Sequence, residues 1–149
     1  MSESSCVFCQ ILCGEAPASV VYVDDWVMAF MDIQPVNPGH LLVVPRDHAT
    51  HLADLDPETG GHLFQVAMRL AAALRVADLR CEGVNLFLAD GEMAGQEVLH
   101  VHVHVLPRFE EDGFGLRFGP DYFRRPGRKT LDALASQIRA ALEGQDHGL

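Results

Sequence analysis

Apolar and polar positions along the chain change their period several times, and each change marks an element. "SVVYV" (Ser19 to Val23) and "WVMAFMDI" (Trp26 to Ile33) are β-branched and aromatic runs that read as strands, with Asp24-Asp25 as the hairpin turn between them. The two prolines and the glycine of "QPVNPG" (Gln34 to Gly39) predict a loop, and "HLLVVP" (His40 to Pro45) predicts a third strand. The period then becomes helical. Asp56 is an N-cap residue, Pro57 suits the first helical position, and Phe64, Ala67, Ala71 and Leu74 fall on one face of a long helix that Gly60-Gly61 weakens at its start. "GVNLFLA" (Gly83 to Ala89) predicts a fourth strand, "DGEMAGQE" (Asp90 to Glu97) a glycine-containing loop, and "VLHVHVHVL" (Val98 to Leu106) a fifth strand antiparallel to the fourth.

Beyond Pro107 the chain is rich in glycine, proline and charge, with Phe109, Phe114, Phe118, Tyr122 and Phe123 spread along it, which predicts a long but ordered loop. Thr130 suits the cap of a last helix in which Leu131, Leu134, Ile138 and Leu142 share a face and which Gly144 ends. The pattern is α+β in one domain over residues 1–149, with an antiparallel five-stranded sheet, no repeat and no internal boundary.

Composition narrows the function classes. A chain of 149 residues that is 48% hydrophobic can bury a core, and a net charge of −10 excludes the broad positive field with which proteins bind nucleic-acid polymers. Any anion must be held locally. No apolar run approaches the ~18 residues of a membrane span, and "MSESSC" lacks the basic and apolar parts of a signal peptide, so the expectation is a cytoplasmic protein. Arg124, Arg125, Arg128 and Lys129 hold four of the eleven Lys and Arg residues; they read as a solvated loop, or else as a contact for the distal part of a substrate or a second subunit.

The four cysteines are Cys6, Cys9, Cys13 and Cys81, and in a cytosolic chain they stay reduced. "CVFC" is then a zinc half-site, a redox pair or chance; the redox reading is weak because no strand precedes the pair. With no second CxxC, the remaining zinc ligands have to be histidines. Cys13 and Cys81 are expected to be buried thiols, and His62 and His147 surface residues.

Three of the eight histidines stand at alternate positions in "LHVHVHVLPR". In a strand His100, His102 and His104 share one face, while Val101, Val103 and Val105 take the other and face the core. Neighbours on a face are about 6.6 Å apart, so the outer pair spans about 13 Å, too far to close on one ion with bonds of about 2.1 Å. The three must divide their work. At neutral pH one imidazole can attack phosphorus while a protonated neighbour holds an oxyanion. In the preceding "AGQEV" (Ala94 to Val98), Gly95 lets the backbone approach a ligand, and successive N–H groups and the Gln96 amide can donate to phosphate oxygens.

"HVHVHVL" with "AGQEV" resembles the histidine triad family of nucleotide hydrolases and transferases. "CVFCQILCGEAPASVVYVDDWVMAFMDIQPVNPGHLLVVPRDH" and "HVLPRFEEDGFGLRF" resemble its zinc-containing bacterial branch, so the resemblance covers a core of about residues 6–118 and leaves a C-terminal loop and helix, 119–149. It implies the histidine triad fold and a homodimer that joins two sheets. It makes His102 the nucleophile at the α-phosphate, with His104 and the backbone of Gln96, Glu97 and Val98 holding oxygens and His100 completing the triad. Asp32 matches the ribose-binding carboxylate, and Phe8, Phe30, Ile33 and Leu42 match apolar residues near a purine base. The zinc ligands would be Cys6, Cys9, His48 and His100, with His51 competing for the third place; such a closed site is structural, one ion per chain. His40 is a candidate to stand behind the site.

The expected function is cleavage at the α-phosphate of purine nucleoside phosphoramidates, acyl nucleotides or dinucleoside polyphosphates, releasing a nucleoside monophosphate of AMP or GMP type. Ala89-Asp90 departs from the family, which commonly has an asparagine there; an aspartate beside a phosphate is unwelcome unless it turns away or bonds to loop N–H groups. That departure keeps open a non-enzymatic nucleotide-binding regulatory or scaffold protein. A metal-dependent hydrolase using the His-x-His pair is the other alternative, disfavoured because no carboxylate stands at ligand spacing beside the triad.

Overall fold

The computed structural model describes residues 5–145. They form two compact units, one ending at Phe114 and the other beginning at Gly115. His147 lies outside the described residues.

The first unit is built on a five-stranded antiparallel sheet of β1 (Val20–Val23), β2 (Val27–Met31), β3 (Leu41–Pro45), β4 (Gly83–Phe87) and β5 (Val103–Arg108), in the order β1-β2-β3-β5-β4. The β1–β2 turn forms because Asp24 Oδ1 accepts the N–H groups of Trp26 and Val27, at 2.8 and 2.9 Å. His62 is no plain surface residue: its Nε2 lies 2.6 Å from Asp24 Oδ2 and ties the long helix to this turn.

That helix, α2 (Pro57–Val76), starts where Asp56 accepts the Thr59 N–H at 2.9 Å. Its buried stripe is Leu63, Val66, Ala67, Leu70 and Leu74. Phe64, expected on that face, is 52% exposed; a rotation of about 100° per residue turns it away once Leu63 faces the sheet. The stripe packs on Val27, Ala29, Leu41, Val43, Val103 and Val105. Met28, Phe30, Leu42 and Val44 form the opposite face with Cys6 and Phe8, which come from the start of a short helix, α1 (Val7–Leu12). Both faces of β2 and β3 are therefore buried. A one-residue slip would exchange the two clusters, which holds the register.

Registered across the sheet, Phe30 pairs with Leu42, Leu42 with His104 and His104 with Phe87. His104 thus stands on the α1 face while Val103 and Val105 join the α2 core, the predicted division of valines from histidines. The predicted fifth strand began at Val98, but pairing starts only at Val103. Upstream the chain bends away, and Val101 N–H donates to Ala49 O at 2.8 Å instead of to a neighbouring strand.

Gly39, just before β3, has φ +96°, and a Cβ there would lie 2.9 Å from Leu79 Cδ1 and 3.3 Å from Leu74 Cδ2 and Pro107 Cγ. Gly39→Ala is expected to combine left-handed strain with this crowding, destabilising the protein by about 1–3 kcal/mol and lowering its melting temperature. An unchanged thermal midpoint would contradict that reading.

In the second unit Phe118 stacks on Tyr122 at 3.9 Å between ring centroids, and Arg124, Arg125, Arg128 and Lys129 are exposed. Its helix, α3 (Arg128–Gln145), begins before Thr130, because Gly127 O accepts the N–H groups of Thr130 and Leu131, and it runs past Gly144.

Candidate active site and metal centre

Cys6 is the N-cap of α1 and Cys9 lies within its first turn, so one short helix aims both thiols inward. His48 follows the end of β3, and His100 lies in the bend that leaves the β5 ladder. The four donors converge. Cys6 Sγ and Cys9 Sγ lie 3.5 and 3.6 Å from His100 Nδ1, Cys9 Sγ lies 3.3 Å from His48 Nδ1, and all four ligating atoms fall within 4.8 Å of one another. A tetrahedral ion with bonds of about 2.3 Å to sulfur and 2.05 Å to nitrogen separates such donors by about 3.6 Å, so the residues fit a metal of zinc's kind. The outward nitrogens are held as well: His100 Nε2 donates to Pro45 O at 2.9 Å, and His48 Nε2 lies 3.3 Å from Thr50 Oγ1. His51 is directed elsewhere, its Nδ1 3.4 Å from Asp90 Oδ1. Of the other two cysteines, Cys13 is exposed, not buried as expected, and Cys81 is half-buried.

The bend that takes His100 to the cysteines also sets the next histidine. His102 Nδ1 lies 2.8 Å from the carbonyl oxygen of His100. A carbonyl only accepts, so Nδ1 carries the proton, and in the neutral ring Nε2 keeps its lone pair. Phe8 packs edge-on against both rings, at 5.2 Å from His102 and 5.8 Å from His100.

His104 is oriented from behind by the same logic run in the opposite sense. The Val36 N–H, which can only donate, points at His40 Nδ1 at 3.1 Å, so neutral His40 carries its proton on Nε2. That proton goes to His104 Nδ1 at 2.8 Å, which leaves the His104 proton on Nε2 as a donor. Burial lowers the pKa of His40 and of His102, and burial with the neighbouring His102 and His40 lowers that of His104 to about 4. The expected protonated neighbour is thus corrected: among apolar residues the neutral ring wins, and His104 offers an N–H dipole in place of a cation.

Asp32 completes this corner, with Oδ2 3.5 Å from His40 Nε2 and Oδ1 accepting the Gln34 N–H at 2.8 Å. Asp32, His40 and His104 bring ligand-type atoms within 4.8 Å of one another, so the carboxylate absent from the local spacing arrives from the residue just after β2. The Val36 N–H nevertheless disfavours a metal there. An ion on His40 Nε2 would need that lone pair, forcing the proton onto Nδ1 against another N–H. Phe30 and Leu42 line the same sheet face, whereas Ile33 is 98% exposed beside Asp32.

The loop before the triad is tightly tied. A 3-10 turn over Glu92–Ala94 ends at Gly95, whose φ of +91° is left-handed and favours glycine. Gln96 was expected to offer its amide to a phosphate, yet it is buried and engaged within the protein. Its Oε1 accepts the Gly91 N–H at 2.8 Å, and its Nε2 donates to Thr50 O at 2.8 Å and Val98 O at 3.2 Å. The Gln96 N–H also goes to Gly91 O, at 3.1 Å. Among the described residues the N–H groups of Glu97 and Val98 donate to no protein acceptor. Asp90 turns away from the loop, its Oδ1 accepting the Leu52 N–H at 3.1 Å.

The model of the HIT domain matches residues 13–111. The chain belongs to the HIT family. It is 43% identical over 115 residues to an uncharacterized HIT-like protein of Borreliella burgdorferi, covering 76% of this chain and 83% of that protein. It is 33% identical over 148 residues to adenosine 5'-monophosphoramidase HNT1 of Saccharomyces cerevisiae, covering 97% and 87%. Among solved structures, a HIT family protein from Bacillus anthracis superposes with TM-score 0.85 at 37% identity, over 94% of this chain and 99% of that one. A Zn-bound histidine triad family protein from Mycobacterium smegmatis gives 0.73 at 38% identity, over 99% and 100%.

Within this HIT domain, two partners of the site had no local signal. The Val36 N–H reaches His40 four residues on, through the loop that holds Pro38 and Gly39, and Thr50 meets His48 two residues away; neither pair lies within one helix or strand, so periodicity gave no pointer to it. A histidine placed directly after Pro-Gly at the mouth of a strand was the one available hint for His40.

Proposed function

We propose that this HIT protein is a nucleotidyl hydrolase or transferase that cleaves at the α-phosphate of a purine nucleoside phosphoramidate, acyl nucleotide or dinucleoside polyphosphate. The observation that carries the reading is the opposed tautomer pair: His102 with its Nε2 lone pair exposed to the site, His104 with an Nε2 proton, their rings 4.9 Å apart. His102 Nε2 attacks the α-phosphorus as the bond to the leaving group breaks and that group takes up a proton. Water then displaces the histidine, and the nucleoside monophosphate leaves with His102 neutral again. His104 Nε2–H and the N–H groups of Glu97 and Val98 hold the phosphate oxygens. Asp32 binds the ribose hydroxyls, with Phe8, Phe30, Ile33 and Leu42 toward the base.

The yeast relative's name supports an adenylyl substrate. Cys6, Cys9, His48 and His100 would hold one zinc ion, which supplies structural cross-linking in a closed site. The homodimer belongs to the same reading: β4 is an edge strand with Phe87 half exposed, suited to joining a second sheet. A substrate panel with mass spectrometry tests the chemistry: a nucleotidyl adduct on His102 is expected with at least one class, and turnover without any histidine adduct would exclude the covalent route. Because burial lowers the pKa of His102 and, with its neighbours, takes that of His104 to about 4, any acidic fall in kcat/KM is expected to have its midpoint below 6.5. A sigmoidal fall as pH drops through about 6.5 would show a histidine that titrates normally.

A further inference from the structure

The segment from His48 to Leu52 touches the metal centre at one end and the phosphate loop along the rest of its length. His48 supplies a metal donor, and its far nitrogen lies 3.3 Å from Thr50 Oγ1. Ala49 O accepts the Val101 N–H at 2.8 Å, fixing the bend between His100 and His102. Thr50 O accepts from the Gln96 amide, which itself bonds to Gly91 and Val98 and so ties both ends of the loop. His51 and the Leu52 N–H hold Asp90, 3.4 and 3.1 Å away, at the loop's start. The two contacts that join this segment to the loop, Leu52 to Asp90 and Thr50 to Gln96, cross 38 and 46 residues of sequence, so local folding does not secure them.

We infer that this segment couples the metal centre to the phosphate loop, with Thr50 as the positioning residue, so that zinc and a nucleoside monophosphate each tighten the binding of the other. The coupling rests on the nucleotide reading above. A metal that fixes the His48 ring also fixes the Thr50 hydroxyl beside it, and with it the carbonyl on which Gln96 hangs. The loop then holds its Glu97 and Val98 N–H groups in place before the phosphate arrives. A bound phosphate, conversely, holds the loop, the carbonyl and the ring. Thermodynamic reciprocity requires the two effects to be equal in size. The departure at Asp90 acquires a role in the same scheme. Its carboxylate closes the far end of the brace instead of facing the phosphate.

The test uses the full zinc-loaded chain and AMP. Zinc retention is measured by competition with a chelator, with and without AMP, and AMP affinity by calorimetry. AMP is expected to tighten zinc by about 5-fold or more in the wild type. Thr50→Val, which keeps the side-chain shape and the backbone carbonyl, is expected to bring that factor to within twofold of unity while AMP still binds; Thr50→Ser, which keeps the hydroxyl, restores it. A merely structural Thr50 would alter thermal stability without changing how zinc responds to AMP. Zinc retention that is the same with and without AMP in the wild type overturns the coupling, and so does a Thr50→Val protein with the full factor. Should Thr50→Val not fold, the wild-type factor and Asp90→Ala, expected to reduce it by opening the far end, decide the matter. Failure of AMP to bind the loaded wild type overturns the nucleotide reading together with the coupling, whereas AMP binding without linkage overturns the coupling alone.

Discussion

His102→Ala is expected to lower release of AMP from an adenosine phosphoramidate by on the order of 10⁴-fold or more, while AMP itself binds within a few-fold of wild-type affinity. The size follows from the chemistry: without the Nε2 lone pair no covalent nucleotidyl intermediate forms, and the remaining N–H donors can bind a phosphate without attacking it. The split between kcat and binding follows from the geometry. Asp32, His104 and the loop are held by hydrogen bonds that do not involve the His102 side chain, whose own bond among the described residues is to the His100 carbonyl. Steady-state kinetics and calorimetry on the same preparation check both halves. Full activity in the variant would remove the covalent mechanism, and a wild type that binds AMP but turns over none of the three substrate classes would favour a regulatory binding protein.

The second large effect is at the metal centre. Cys6→Ser is expected to reduce zinc from about one ion per chain to a small fraction by elemental analysis, and to lower the melting temperature by about 6–12 °C, equivalent to about 3 kcal/mol. Cys6 is only 1% exposed, stands at the N-cap position of the helix that carries Cys9 and Phe8, and has its Sγ 3.5 Å from His100 Nδ1, so losing the sulfur removes one of the four donors and loosens the start of α1. A hydroxyl left in that apolar pocket adds a desolvation penalty. Chelation that stopped turnover without lowering stability would point to an open catalytic metal instead.

Much of the framework was legible because its signals are local. Asp24-Asp25 marks the first hairpin through side-chain bonds to N–H groups two and three residues on, and Asp56-Pro57 marks the start of α2 by capping. Alternation placed the valines and histidines of "HVHVHV" on opposite faces, and the strand spacing showed that three histidines cannot share one ion. The misplaced Phe64 shows the limit of periodicity. Two adjacent apolar positions fit a stripe equally well, and only contact with the sheet chose Leu63.

What the sequence by itself determined is the set of chemical groups and their order: two cysteines three apart, three alternate histidines, a glycine-bearing loop before them, and an aspartate after the second strand. What only the tertiary structure decided is how each group is charged and directed. A tautomer depends on whether the nearest partner donates or accepts, and here those partners are the His100 carbonyl, the Val36 amide and the His40 ring. The directions of the Gln96 amide and the Asp90 carboxylate, and the placing of His48 rather than His51 beside the cysteines, follow from partners brought in from distant segments. Hydrogen bonds and metal ligands act over about 2–4 Å, and which groups come that close is fixed by the packed sheet, not by spacing along the chain.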